Sequence, residues 1–316
     1  MKKDILLPHL PEYTGADPLA AYRTHFHEAI TRNATLERLS STEQIPYTSM
    51  AVFADLMETF PAVPLKTQAD YGVYYREYPF ATIVKEFFSK IALDVQKSGY
   101  IPTSEGLNIE QIDKLLEKSA GGAFTQKEFS ELLSAGINAT IVPNIITARR
   151  LRAAAQAQGV LYENVPLPTQ ERSYAFADEW HDAMRKNEYI ETIANAYAPK
   201  EAVAAFARFL KSYPFIPLKV SSQIASERAA YNFPSIVDEF FSKCSDLVIY
   251  GEPIKKIASQ QSEIAHRVIN SAGLTMQILT SSHITSLSRI EGYNGQIAPC
   301  TIPNLITAER LLLTQS

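Results

Sequence analysis

The chain carries two runs of sequence that match over long stretches, and this repetition constrains its fold more than any other feature. Residues 51–90 align with 204–243 without a gap, and sixteen of the forty positions are identical. Ordinary residue usage gives about two or three identities by chance. The shared text is specific: FPAVPLK against YPFIPLK, then YPFATIVKEFFSK against YNFPSIVDEFFSK. Two further anchors keep the same order. FHEAITRN (26–33) matches WHDAMRKN (180–187), and VPNIITARRL (142–151) matches IPNLITAERL (302–311). The offsets drift from 153 to 160, which places short insertions in loops.

Two copies of one unit are therefore expected: unit one at 17–157 and unit two at 172–316. A linker at 158–171 joins them, and an arm at 1–16 precedes them. The length of 316 residues agrees, since a domain averages roughly 150. The linker QGVLYENVPLPTQE loses helical periodicity at Gly159, Pro166 and Pro168. With Pro8 and Pro11 in it, the arm is expected to be extended.

Helical signals dominate each unit. Asp17-Pro18 is a capping acid followed by proline at the first helical position. The helix it opens is expected to reach Asn33, with Tyr22, Phe26 and Ile30 on one face. A second helix is expected at 48–60, stopped by Pro61 and Pro64, with its partner at 200–213, stopped by Pro214 and Pro217. After Pro79, the apolar residues Ile83, Val84, Phe87, Phe88, Ile91 and Val95 form one broad helical face. Its counterpart is Ile236, Val237, Phe240, Phe241, Cys244 and Val248. Further helices are expected at 108–118, at 125–134 behind a Thr125…Glu128 capping box, and at 253–270. Each unit closes on P-N-[IL]-I-T-A-x-R-L leading into a helix, with Asn144 and Asn304, or Thr147 and Thr307, as its caps. Only Leu247–Tyr250 and Leu274–Leu279 suggest short strands. The fold class is all-α, a tandem duplication of a five- to six-helix unit, arranged about a pseudo-two-fold or side by side.

Composition narrows the function. A formal charge of −4 lacks the basic field of a nucleic-acid binder, so no nucleic acid is expected as partner. No apolar run approaches the ~18 residues of a membrane span. The N-terminal run Ile5–Leu7 is too short for a signal peptide. Cys244 and Cys300 have Ile91 and Thr140 as their counterparts, so a disulfide is no property of the shared unit, and a reducing compartment fits. Cytoplasmic synthesis is expected, and delivery by a specialised secretion system remains compatible with it.

Twelve polar positions recur in both copies. They are His27/His181, Glu28/Asp182, Asn33/Asn187, Glu37/Glu191, Lys66/Lys219, Tyr78/Tyr231, Glu86/Glu239, Ser89/Ser242, Lys90/Lys243, Asn144/Asn304, Thr147/Thr307 and Arg150/Arg310. His27 and His181 are the candidate catalytic residues, although the adjacent acid diverges by about 100° on a helix and does not orient them. Lys66 or Lys219 with Arg150 or Arg310 suits a phosphate or carboxylate. Glu263-x-x-His266 has a di-iron spacing but no second pair, and 117–128 resembles a calcium loop whose early carboxylates are missing. Neither metal nor cofactor is expected.

Tyr71, Tyr74, Tyr75 and Tyr78 share one face if their segment is helical, and rigid aromatic area with a polar tip is common at binding surfaces. Unit two has Ile224, Glu227, Arg228 and Tyr231 there, so the copies diverge at this surface. The candidate binding residues are these four tyrosines with Lys66, Lys219, Arg150 and Arg310. No phosphate loop, nucleophile elbow or kinase signature occurs. The preferred reading is a protein- or peptide-binding scaffold. The alternative is an enzyme with a pocket of His27/His181, Lys66/Lys219, Tyr78/Tyr231 and Arg150/Arg310. A third is a structural subunit of a phage or secretion assembly.

Overall fold

The computed structural model describes residues 17–42, 44–65, 80–98, 109–119, 124–169, 175–218, 232–272 and 295–315. Among them the regular structure is eleven α-helices and one 3-10 turn, with no strand. The chain divides into two compact units, Met1–Lys90 with Pro102–Asn164, and Ile91–Ile101 with Val165–Ser316. No described helix is long and apolar enough to cross a membrane.

The first unit opens with α1, Pro18–Ser41. Asp17 caps it by accepting the Ala20 N–H at 3.0 Å, with proline in the first turn as the sequence predicts. The helix runs eight residues beyond the expected end at Asn33. No breaker follows Asn33, and its amide is engaged by another helix instead of ending this one. The buried stripe is Tyr22, Phe26, Ala29, Asn33 and Leu36, a rising i, i+4, i+7, i+11 series. Ile30 lies beside that stripe and is 36% exposed.

α2 (Tyr47–Thr59) is buried along most of its length and packs on α6 (Ile141–Ala157). α1 also packs on α6 and on α5 (Gln126–Ser134). α4 (Ile109–Ser119) adds Ile112 and Leu115 to a core shared with Phe26, Phe129 and Ile145. The Thr125 capping box forms: its hydroxyl accepts from Glu128 N–H, and Glu128 Oε2 accepts the Thr125 N–H at 2.7 Å. α3 (Phe80–Ser98) starts in the first unit and ends among residues of the second. Its Phe87 meets Phe53 edge-on at 5.3 Å, a geometry that adds to plain burial. α6 ends in a Schellman turn at Gly159, whose φ of 77° suits glycine, with Val160 N–H bonding back to Ala155 O.

The second unit holds α7 (Phe176–Tyr197), α8 (Lys200–Ser212), α9 (Phe233–Ile249), α10 (Ile254–Ser271) and α11 (Thr301–Gln315). α11 packs on both α7 and α8. Trp180, Met184, Ala265, Val268, Ile302 and Ile306 form one apolar cluster. Phe240 meets Phe206 edge-on at 5.5 Å. The strand signal at Leu247–Tyr250 is overturned. Those residues close α9 in a second Schellman turn, with Glu252 N–H on Leu247 O and Gly251 at φ 79°. A run of β-branched residues is helical here because one side of it, Val248, is fully buried. Leu274–Leu279 lies outside the described residues.

Candidate functional site

The polar residues of the closing segments converge on the proline turns. In the first unit, Asn144 sits in the first turn of α6 and is wholly buried. Its amide donates to Pro61 O at 2.9 Å and to Val63 O at 2.7 Å. Its Oδ1 accepts from Asn33 Nδ2 of α1 at 2.9 Å. One side chain thereby ties α6 to α1 and to the turn that leaves α2. One helical turn along, Thr147 donates to Glu37 Oε1 at 2.7 Å, and Arg150 reaches Glu37 Oε2 at 2.8 Å. The expectation that Asn144 or Thr147 caps the helix is overturned. The helix begins at Ile141 behind Thr140. Proline in the first turn costs no hydrogen bond, so the helix starts before it and Asn144 points inward.

The second unit makes the same bonds. Asn304 donates to Pro214 O and Ile216 O, each at 2.8 Å, and accepts from Asn187 Nδ2 at 2.9 Å. Thr307 donates to Glu191 Oε1 at 2.7 Å, and α11 begins at Thr301, so neither Asn304 nor Thr307 is its cap. Arg310 stands 3.6 Å from Glu191. The turn itself is caught from further sides. Cys300 Sγ donates to Phe215 O at 3.3 Å, and Lys243 Nζ donates to Pro217 O. The carbonyls of residues 214–217 all have side-chain partners.

Burial acts on the titrating groups of the second site. Burial raises Glu191 above its ordinary carboxyl value of 4.5, and the Thr307 and Arg310 contacts pull the other way. Burial pushes the Cys300 thiol up to about 12, which leaves it a neutral donor and a poor nucleophile. Cys244 is likewise buried and raised.

Among the described residues the remaining candidates do not gather. His27 is exposed on α1, edge-on to Phe26 at 6.0 Å and to Phe129 at 5.9 Å. Arg150 binds α1 at Glu37, ten residues on, which is about 15 Å along a helix. His181 is exposed on α7, ten residues before Glu191. The acids beside the histidines turn elsewhere: Glu28 pairs with Arg32 at 3.7 Å and Asp182 with Lys186 at 2.6 Å. Glu263 pairs with Arg267 at 2.7 Å. Among the described residues no group of three or more metal-ligating side chains comes together. Lys66, Lys219, Tyr71, Tyr74, Tyr75, Tyr78 and Tyr231 lie outside the described residues, as does the middle of the calcium-like loop.

Among the buried polar residues that escaped the sequence reading, one brings three hydrogen bonds together. Gln261 of α10 accepts from Ala298 N–H at 2.7 Å and Thr301 Oγ1 at 3.1 Å, and donates to Gln296 O at 3.1 Å. It holds the approach to α11. The signal was there: Gln261 stands in the apolar stripe of Ile257, Ala258, Ala265 and Val268.

No protein family, curated protein or solved structure matches this chain.

Proposed function

We propose that this chain is a partner-binding scaffold built from two diverged copies of one helical module. The observation that carries this reading is the use to which the shared polar residues are put. Asn33, Glu37, Asn144, Thr147 and Arg150, and their equivalents Asn187, Glu191, Asn304, Thr307 and Arg310, brace helices inside their own unit. Their chemistry serves the module. What the copies use differently is their surface, and the tyrosine face is one place where their sequences diverge.

The duplication draws support from the matched bonds and from the backbone around them. α2 and α8 start behind Pro46 and Pro199 at φ/ψ of −56°/133° and −58°/137°. They end at Phe60 and Tyr213 at −123°/58° and −130°/60°. The partner favoured by aromatic, low-entropy area is a protein or peptide. The buried, unpaired thiols accord with a reducing cytoplasm. The enzyme reading draws less support, since His27 and Glu37, the residue that Arg150 binds, occupy distant stretches of α1.

Replacing Tyr74 and Tyr75 with alanine tests the proposal. Proteins retained by the full-length chain should be depleted roughly tenfold or more in quantitative affinity purification, because losing a central aromatic anchor costs about 2 kcal/mol. The unfolding midpoint should stay put. Undiminished retention would overturn the assignment of this surface.

A further inference from the structure

The two closing helices carry the same hydrogen-bonding text. α6 and α11 each present asparagine, threonine and arginine at one spacing, and α2 with α8 each present a proline turn whose two carbonyls accept from that asparagine. Nothing in the asparagine bracket tells α6 from α11. A chain with two such closures faces a sorting problem while it folds, and misassembly between like modules is a common failure of repeated folds.

The ion pairs beside the brackets do differ. In the first unit Glu58 of α2 binds Arg152 of α6 through two bonds, at 2.6 and 3.1 Å. In the second unit Lys211 of α8 binds Glu309 of α11 at 2.5 Å. Lys211 occupies the repeat position of Glu58, and Glu309 occupies that of Arg149, one turn before Arg152; Arg149 itself binds Asp113 of α4 at 2.6 Å. In the first unit's pair the receiving helix supplies the acid and the closing helix the base. In the second unit's pair the signs are reversed.

We infer that Glu58–Arg152 and Lys211–Glu309 form a pairing code that directs each closing helix to its own receiving helix. A mispaired α11 on α2 sets Glu309 against Glu58. A mispaired α6 on α8 sets Arg149 and Arg152 against Lys211. Both wrong pairings bring like charges together, and both right ones bring opposite charges. The pairs are only half-buried, with side-chain exposures of 27% and 30% in one and 49% and 26% in the other. Pairs so exposed add little to the stability of a correct fold, whereas like-charge contact penalises a wrong one and confers choice. The inference rests on the equal brackets and the repeat register, and it stands apart from partner binding.

Charge reversal tests it in the full chain. Glu58→Lys with Arg152→Glu keeps a local ion pair but gives the first unit the polarity of the second, so the wrong pairing of α11 on α2 becomes attractive and that of α6 on α8 loses its Arg152–Lys211 repulsion. After dilution from urea, the yield of protein eluting at the native position in size exclusion should fall at least about twofold, with swapped oligomers or misfolded chains in its place. Adding Lys211→Glu and Glu309→Lys restores opposite polarity and should return the yield to that of the natural chain. A double variant that refolds as well as the natural chain overturns the inference. So does a quadruple variant that refolds no better than the double.

Discussion

Arg150 reaches Glu37 at 2.8 Å, whereas Arg310 stands 3.6 Å from Glu191, although the asparagine pairs beneath them are 2.9 Å apart in both units. The buried layer is held in common and the charged rim is free to vary. A buried amide bonded to two carbonyls has almost no acceptable substitute, because any change orphans several groups at once. A rim carboxylate keeps water as an alternative partner, so its geometry and partners drift at little cost.

The largest effect should come from breaking the common layer. Asn144→Ala or Asn304→Ala leaves two turn carbonyls and one asparagine amide without partners. Each orphaned group costs about 1–3 kcal/mol, so with three of them either change should cost roughly 3 kcal/mol or more. Urea unfolding measures both, and Trp180, the only tryptophan, reports the second unit. If one substitution proves harmless while the other unfolds its unit, the two sites are not equivalent.

A middling effect should appear where the units differ. Gln261→Ala removes three bonds from the approach to α11, at about 2–4 kcal/mol. In the first unit the equivalent approach relies on Asn138 Oδ1 accepting Thr140 N–H at 2.9 Å. Asn138→Ala should cost only about 1 kcal/mol. Comparable losses in the two variants would remove this distinction.

The smallest effect lies at the rim and has a sign set by pH. The folded state holds the Glu191 proton more tightly than the unfolded chain does. Its contribution is fully present below pH 4.5 and is lost as pH rises through the raised folded value. Wild type should therefore gain stability relative to Glu191→Gln on acidification from neutral pH. At pH 7 Glu37→Gln should cost up to about 1 kcal/mol, and more than Glu191→Gln, because it loses the shorter arginine contact. Melting curves of both variants against pH check this. A Glu191→Gln chain that loses stability relative to wild type as pH rises would reverse the sign argued here.

Much of the fold was legible in the residues. Asp17-Pro18, the Thr125 capping box, the phenylalanine faces and the proline stops are local signals, and each acts within a few residues of itself. The candidate site was legible only as a set of retained positions. Asn33 looked like a helix end and Asn144 like a cap because asparagine favours both places in isolation. Their real partners lie 111 residues apart in the chain. The residues at Leu247–Tyr250 read as strand because local β preference is indifferent to what buries Val248.

The sequence alone determined that this protein is helical, that its halves share a text, and which polar residues that text preserves. Periodicity, caps and proline act through neighbouring residues, so they survive reading in one dimension. The tertiary structure alone decided what the preserved residues do. An amide buried where water cannot reach must take whatever carbonyl the packing brings to it, and only the meeting of α6 with the α2 turn, and of α11 with the α8 turn, supplied those carbonyls.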